Sequence, residues 1–272
     1  MDSSSPLAPA AAYFEKALPG RALRLGGRTS HLARAYARRV IDTLAAVVPG
    51  LDIEYVPIET SADRYKGDLS ELGGKGLFMK EIDKALMMGH IDAAVHCMKD
   101  VPGDVHLPKE FVFAAYLQRD DVRDAVVFPD GSKYAIISDL PPGARIGTSA
   151  VRRKAQLLRR RPDLNVQRFR GNVIPRLTRL DEEQQVDALV LAGGGLTKVG
   201  MEHRISQLLS LDEMCPAIGA FVAASLTRKN ARSIIAGTRL HPRSAVRRHT
   251  AVIAGESPLV SAVRRWFPGL AG

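Results

Sequence analysis

Apolar and polar positions along the chain switch repeatedly between a period near two and a period near 3.6, so strands and helices are interleaved. The segment 23–26 (LRLG) reads as a buried strand running into a turn. From Ser30 a helix is expected, because Ala33, Ala37, Ile41, Leu44 and Val48 share one face and Pro49-Gly50 stops it. Alternation over 51–58 predicts a strand, then a polar, loop-like stretch to Gly74 and a helix over about 77–88. IDAAVH (91–96) is a short apolar strand that ends in Cys97-Met98-Lys99-Asp100. Further strands are expected at 111–117 and 124–128, and a linker with a turn at 134–143. The pattern then restarts: ARIGTSA (144–150), a helix, a strand at 165–169, a helix from about Asn172 and a strand at 187–193. This is α/β throughout. Each half runs from a strand through Gly27-Arg28-Thr29-Ser30 or Gly147-Thr148-Ser149 into a helix. Hydroxyls and free amides at a helix N-terminus form an anion site in physical terms. Two α/β lobes around a cleft are the expected architecture, with no repeat of 20–50 residues.

Composition narrows the class. With 272 residues and 46 % apolar content the chain can bury a full core, which excludes disorder and collagen-like repeats. No run of 18 apolar residues exists, so no membrane span is expected. The first fifteen residues hold no Lys or Arg ahead of their apolar stretch and read as an extension, not a secretory signal. Cys97 and Cys215 are too few for a disulfide framework or a cysteine-based zinc site. No metal is expected, and the expected location is cytoplasmic. The net charge of +10 is uneven: residues 228–272 hold nine basic side chains and one acid. From Arg152 to Arg176 there are nine more against Asp163 alone. Of the 39 basic residues 28 are Arg, which reflects either base composition or a need to grip carboxylates bidentately.

Several clusters carry candidate chemistry, each with a bland reading beside it. Ser30 is a helix cap with Arg28 a surface charge, or the two belong to an anion site. The loop 72–78 (LGGKGLF) presents Lys75 before a helix and lacks the G-x-x-x-x-G-K-S/T spacing of a nucleotide P-loop. At 94–102 (AVHCMKDVP) reactive side chains follow a buried strand, where ligands of open α/β sheets bind. Lys99 and Asp100 are there either an ion pair or an acid/base group beside a cationic substrate. Arg152 and Arg153 sit in the first turn of a helix, against its dipole, and a compensating anionic ligand is the natural expectation. Arg170-Gly171-Asn172 with Arg176 repeats the placement after the next strand.

Taken together, GGRTSHLA, GGKGLFMKEID, AVHCMKDVP, RDDVRDAVVF, GTSAVRRKAQLL, RPDLNVQRFRGNV, LVLAGGGLTKVG and EMCPAIG resemble the porphobilinogen deaminase (hydroxymethylbilane synthase) family over about 22–220. The resemblance implies two lobes like type II periplasmic binding proteins, followed by a third domain. It implies a transferase that releases ammonia from porphobilinogen and joins the pyrroles head to tail on a dipyrromethane primer held by a cysteine thioether. Asp100 is then the catalytic carboxylate. Arg28, Lys75, Lys99, Arg152, Arg153, Arg170 and Arg176 hold substrate or primer carboxylates; Ser30, Thr148 and Ser149 add hydroxyl contacts. Cys97 and Gly171 belong to the same set.

The chain departs from the family at four places. Glu71 stands where a lysine is usual, and Cys97 replaces the serine before Met-Lys-Asp. Gly219-Ala220-Phe221 replaces Gly-Gln-Gly, and no cysteine follows Cys215. The expected organisation is an N-terminal extension (1–20), lobe 1 (21–118 with 216–240), lobe 2 (119–215) and a short basic remnant (241–272). The third domain is expected to be absent or vestigial, and the usual primer anchor lacks a counterpart. Two functions stay open: a porphobilinogen deaminase-like enzyme with hydroxymethylbilane or a shorter product, or a non-catalytic two-lobed receptor for a pyrrole or other polycarboxylate. Nucleic acid is not expected as a partner, since no stacking motif accompanies the 6 % aromatics.

Overall fold

A computed structural model describes residues 18–65, 67, 76–104, 107–220 and 223–228. Glu71, Lys75, most of the N-terminal extension and the basic C-terminal segment lie outside the described residues. The chain forms two compact units, leaving the first after Arg119 and returning to it at Gly219.

The first unit contains β1 (Leu23–Arg28), α1 (His31–Val47), β2 (Ile53–Ile58), the single turn α2 (Ser61–Arg64), α3 (Lys80–Met87) and β3 (Ala93–Cys97). A 3-10 turn (Met98–Asp100) and β4 (Phe111–Tyr116) follow. The second unit contains β5 (Asp124–Val127), β6 (Arg145–Gly147), α4 (Val151–Arg160), β7 (Asn165–Gln167), α5 (Val173–Asp181), β8 (Ala188–Ala192), α6 (Gly193–Lys198) and β9 (Gln207–Leu208). The chain then returns to the first unit as β10 (Ala223–Arg228).

Each unit holds a five-stranded sheet, in the orders β2-β1-β3-β10-β4 and β7-β6-β8-β5-β9. In both sheets three parallel strands are followed by one antiparallel strand, β10 or β5, that arrives from across a unit boundary. The plan repeats down to single hydrogen bonds. In the first unit Arg24 on β1 donates its backbone N, Nε and Nη2 to Asp92, which precedes β3. In the second, Arg145 on β6 makes the same three bonds to Asp187, which precedes β8. The two-lobed α/β class therefore stands, with a repeat the size of a lobe.

Local differences from the sequence expectation have local causes. The helix expected from 77 starts at Lys80, because Gly76 (φ +71°) opens a turn closed by Met79 N–H to the Gly76 carbonyl at 2.8 Å. The strand expected over 165–169 stops at Gln167, and that helix starts at Val173. The polar stretch before Gly74 contains α2, held by a Thr60–Asp63 capping box. Helix α6 opens on three consecutive glycines against their propensity. All three are buried, and a Cβ on Gly193 would lie 3.1 Å from the Arg123 carbonyl oxygen, so close packing decides. Of the face predicted for α1, Ala37 and Leu44 are buried, as is Val48 at its C-cap, whereas Ala33 and Ile41 are half-buried; Tyr36 and Val40 complete the buried set.

Asp92 is 5 % exposed. Burial pushes its carboxyl upward, but the hydrogen bonds from Arg21 and Arg24 outweigh it and hold it at about 2. A carboxylate depressed in the folded state stabilises the fold above its unfolded value near 3.8, and that contribution is lost as pH falls through about 2. Its size is about 2 kcal/mol. Urea unfolding of the parent and of Asp92→Asn, each at pH 7 and pH 2, should show the gap between the two pH values narrowing by about that amount in the variant. An unchanged gap would show that Asp92 contributes no acid sensitivity.

Candidate active site

In the first unit the ends of β1 and β3 and the start of α1 open onto a small cavity of about 80 Å³. Ser30 caps α1, its Oγ accepting from the Ala33 amide at 3.3 Å, and it lines the cavity. Arg28 lines the same wall but is already engaged. Its Nη2 and Nε lie 2.5 and 3.1 Å from the Asp63 carboxylate, and its guanidinium stacks 4.1 Å over the Phe78 ring. Burial would raise the Asp63 carboxyl; the bonds from Arg28 and Thr60 hold it below the ordinary carboxylate range. Opposite, β3 brings up His96, whose Nε2 is 3.1 Å from Asp83 on α3, and then Cys97. The 3-10 turn that follows carries Lys99, exposed, and Asp100, half-buried. Asp100 makes no ion pair among the described residues, so it is not the partner of Lys99. A carboxylate left uncompensated at a cavity wall can stabilise a cation or move a proton.

The second unit gathers its candidates at the ends of β6 and β7 and the starts of α4 and α5. Thr148 is buried, its Oγ1 accepting from the Ala150 amide at 3.5 Å. The Ser149 hydroxyl donates to the Phe169 carbonyl at 2.6 Å. Arg152 and Arg153 grip the two oxygens of Asp124, at 2.6 and 2.8 Å. Asp124 is 2 % exposed, so the anion expected to compensate these helix-start cations is internal to the protein. That corrects the expectation of a ligand as the sole compensation. Arg152 also donates to the Cys215 carbonyl, whose residue is held by Gln156. The signal for Asp124 was legible: a carboxylate heading an all-apolar strand needs a buried cation.

Arg176 is different. Its Nε donates to the Asn172 carbonyl at the start of its own helix, at 3.4 Å, and it has no carboxylate partner among the described residues. Burial, and then the nearby Arg153 and Arg179 cations, push its guanidinium down to about 10, so it stays charged at neutral pH. Arg170 and Gly171 (φ +121°) form the turn just before it. Arg179, which sequence reasoning missed, reaches back to the Arg170 carbonyl. Among the described residues no His/Cys/Asp/Glu group is placed to hold a metal ion, and no helix is long and apolar enough to cross a membrane.

A family model described as "Porphobilinogen deaminase, dipyromethane cofactor binding domain" matches residues 23–236. The chain belongs to the porphobilinogen deaminase family. Porphobilinogen deaminase 2 of Streptomyces coelicolor is 48 % identical over 213 residues, covering 78 % of this chain and 67 % of the relative. Porphobilinogen deaminase of Syntrophotalea carbinolica is 49 % identical over 199 residues, 73 % of this chain and 61 % of the relative. That of Pelobacter propionicus is 45 % identical over 203 residues, 74 % and 63 %. The chain thus spans about two thirds or less of these relatives' lengths. Among solved structures, a periplasmic substrate-binding protein of an ABC transporter from Coxiella burnetii covers 89 % of this chain and 96 % of its own, at 13 % identity and a TM-score of 0.47.

The turn that carries Asp100 is braced by the returning chain. Gly219 has φ +69°, and a Cβ there would lie 2.9 Å from the Met98 carbonyl carbon and 3.0 Å from the Lys99 nitrogen. Both are backbone atoms and cannot swing away. Gly219→Ala therefore combines a left-handed strain with a clash and should cost about 1–3 kcal/mol in denaturant unfolding. A midpoint equal to the parent's would show that the turn moves freely.

Proposed function

We propose that the chain deaminates porphobilinogen and condenses the pyrroles head to tail into a linear oligopyrrole, hydroxymethylbilane or a shorter product. The observation that carries this reading is Asp100, a carboxylate without an ion pair among the described residues, in the first unit's cavity with Ser30 and Lys99. Membership of the family and the similarity to porphobilinogen deaminases support it.

The reaction needs what that wall offers. The C–N bond of the aminomethyl group breaks, its electron pair leaving with ammonia, while the pyrrole nitrogen feeds electrons into the ring to give an azafulvene cation. Asp100 holds the proton of the departing amine and then faces the cation and its pyrrole N–H, where a fixed negative charge lowers the barrier. A C–C bond forms to the α-carbon of a second pyrrole, which releases its proton to restore aromaticity. Lys99 and the Ser30 hydroxyl suit the carboxylates on the ring. Arg28, neutralised by Asp63, presents a stacked guanidinium face more than a free charge.

A dipyrromethane carries carboxylates on both rings, and the second unit's donor set fits such a group: Arg176 is a half-buried cation without a carboxylate partner among the described residues. Arg176 and Arg170 would hold it, with Arg152 and Arg153 shared between Asp124 and the ligand and the Thr148–Ser149 segment framing them. When bound, that group supplies the pyrrole α-carbon to which the first ring is joined.

Asp100→Asn keeps the shape of the wall but not its charge. Ammonia release from porphobilinogen should fall by at least about 10²-fold while porphobilinogen still raises the unfolding temperature. Equal release from variant and parent would overturn the assignment; binding without release in the parent would mark a receptor. Arg176→Lys loses the bidentate fork at a site with no internal carboxylate. It should weaken porphobilinogen binding roughly tenfold by calorimetry, with the unfolding temperature unchanged; unaltered affinity would return Arg176 to a solvated basic helix.

A further inference from the structure

We infer that Arg179 is a positioning residue of the second unit's carboxylate site, acting through the Arg170–Gly171 turn and through Arg176. The inference rests on the reading above that this unit binds substrate or primer carboxylates. Arg176 and Arg179 lie three residues apart on α5 and so share a face. The Arg179 guanidinium lies 4.1 Å over the ring of Phe169, which is 3 % exposed. From there its Nη2 donates to the Arg170 carbonyl and its Nε reaches the Pro175 carbonyl at 3.4 Å. Gly171, between them, has φ +121°, and a Cβ on it would lie 3.4 Å from Arg179 Nη2. The other side of the turn is pinned as well. The Phe169 amide donates to the Thr148 carbonyl at 3.3 Å, and the Ser149 hydroxyl donates to the Phe169 carbonyl. Arg179 thus closes a clamp around residues 169–171.

A neutral donor would brace the turn as well as a cation does. Instead an arginine stands there, without a carboxylate of its own among the described residues, and its charge raises the cost of the neighbouring Arg176 cation. Arg153, the third cation of the group, shares the single negative charge of Asp124 with Arg152. An uncompensated pair held rigid at a partly buried face gains when an anion binds against it, and the planar fork fixes where that anion is met. Arg179 accordingly sets the geometry of Arg170 and the field at Arg176.

The test uses the full chain with Asp100→Asn as background, so that turnover does not consume the probe, porphobilinogen. Arg179→Gln should raise its Kd about tenfold and Arg179→Lys less, since the charge is retained and the stacked fork is lost. In a cycle with Arg176→Lys the double variant should lose clearly less than the product of the single losses, because one residue acts through the other. A purely structural brace would leave the two effects multiplicative, and that result, or an unchanged Kd in Arg179→Gln, overturns the inference. Should Arg179→Gln fail to fold, Arg179→Lys completes the cycle. Amide hydrogen exchange at 169–172 gives a readout without ligand: faster exchange in the variant is expected, and unchanged exchange overturns the clamp. A parent that binds no porphobilinogen would count against the proposed substrate, while the exchange result still decides the role of Arg179.

Discussion

Strand β10 pairs antiparallel with both β3 and β4, and this placement obliges the chain to leave the first unit and come back. Its register sets Ala223 opposite Cys97, so the returning chain arrives beside the turn that carries Lys99 and Asp100. Gly219 lies against the Met98–Lys99 backbone there. Arg119, at the outgoing crossing, donates its Nε to the Ala220 carbonyl at 2.9 Å. Outgoing chain, returning chain and candidate catalytic turn therefore pack together at the end of a buried strand. Loops at strand ends are where α/β sheets place their chemistry, and here the topology also holds the loop still.

The second governing constraint is charge. Buried or half-buried carboxylates in both units are carried by arginine: Asp92 by Arg21 and Arg24, Asp63 by Arg28, Asp124 by Arg152 and Arg153, Asp187 by Arg145. A planar fork satisfies both carboxylate oxygens at once, which a lysine does not do, and this gives the arginine excess a structural cause. It also divides the candidate residues. Arg28, Arg152 and Arg153 are tied to carboxylates of the fold, so substitutions there change stability whatever else they do. Asp100 in the first unit and Arg176 with Arg179 in the second keep charges that no internal ion pair cancels among the described residues.

Periodicity and motif chemistry in the sequence determined much of this. The α/β class, the cap at Ser30, the apolar face of α1 and the family all follow from residues close together in the chain. Asp100 stands out in the same way, as a reactive side chain immediately after a buried strand. These are local signals, set by side-chain alternation and by backbone groups a few residues apart. What only tertiary structure decided involves long separations. Asp92 meets Arg24 across 68 residues, Arg152 meets Asp124 across 28, and the Thr227 hydroxyl bonds the Asp92 carbonyl across 135. No periodicity shows which carboxylate neutralises which arginine, or that β10 inserts beside β3. Nor does spacing show that Arg176 is left without a counterion while Arg152 and Arg153 are not, because that depends on which side chains the folded sheets bring within 3 Å.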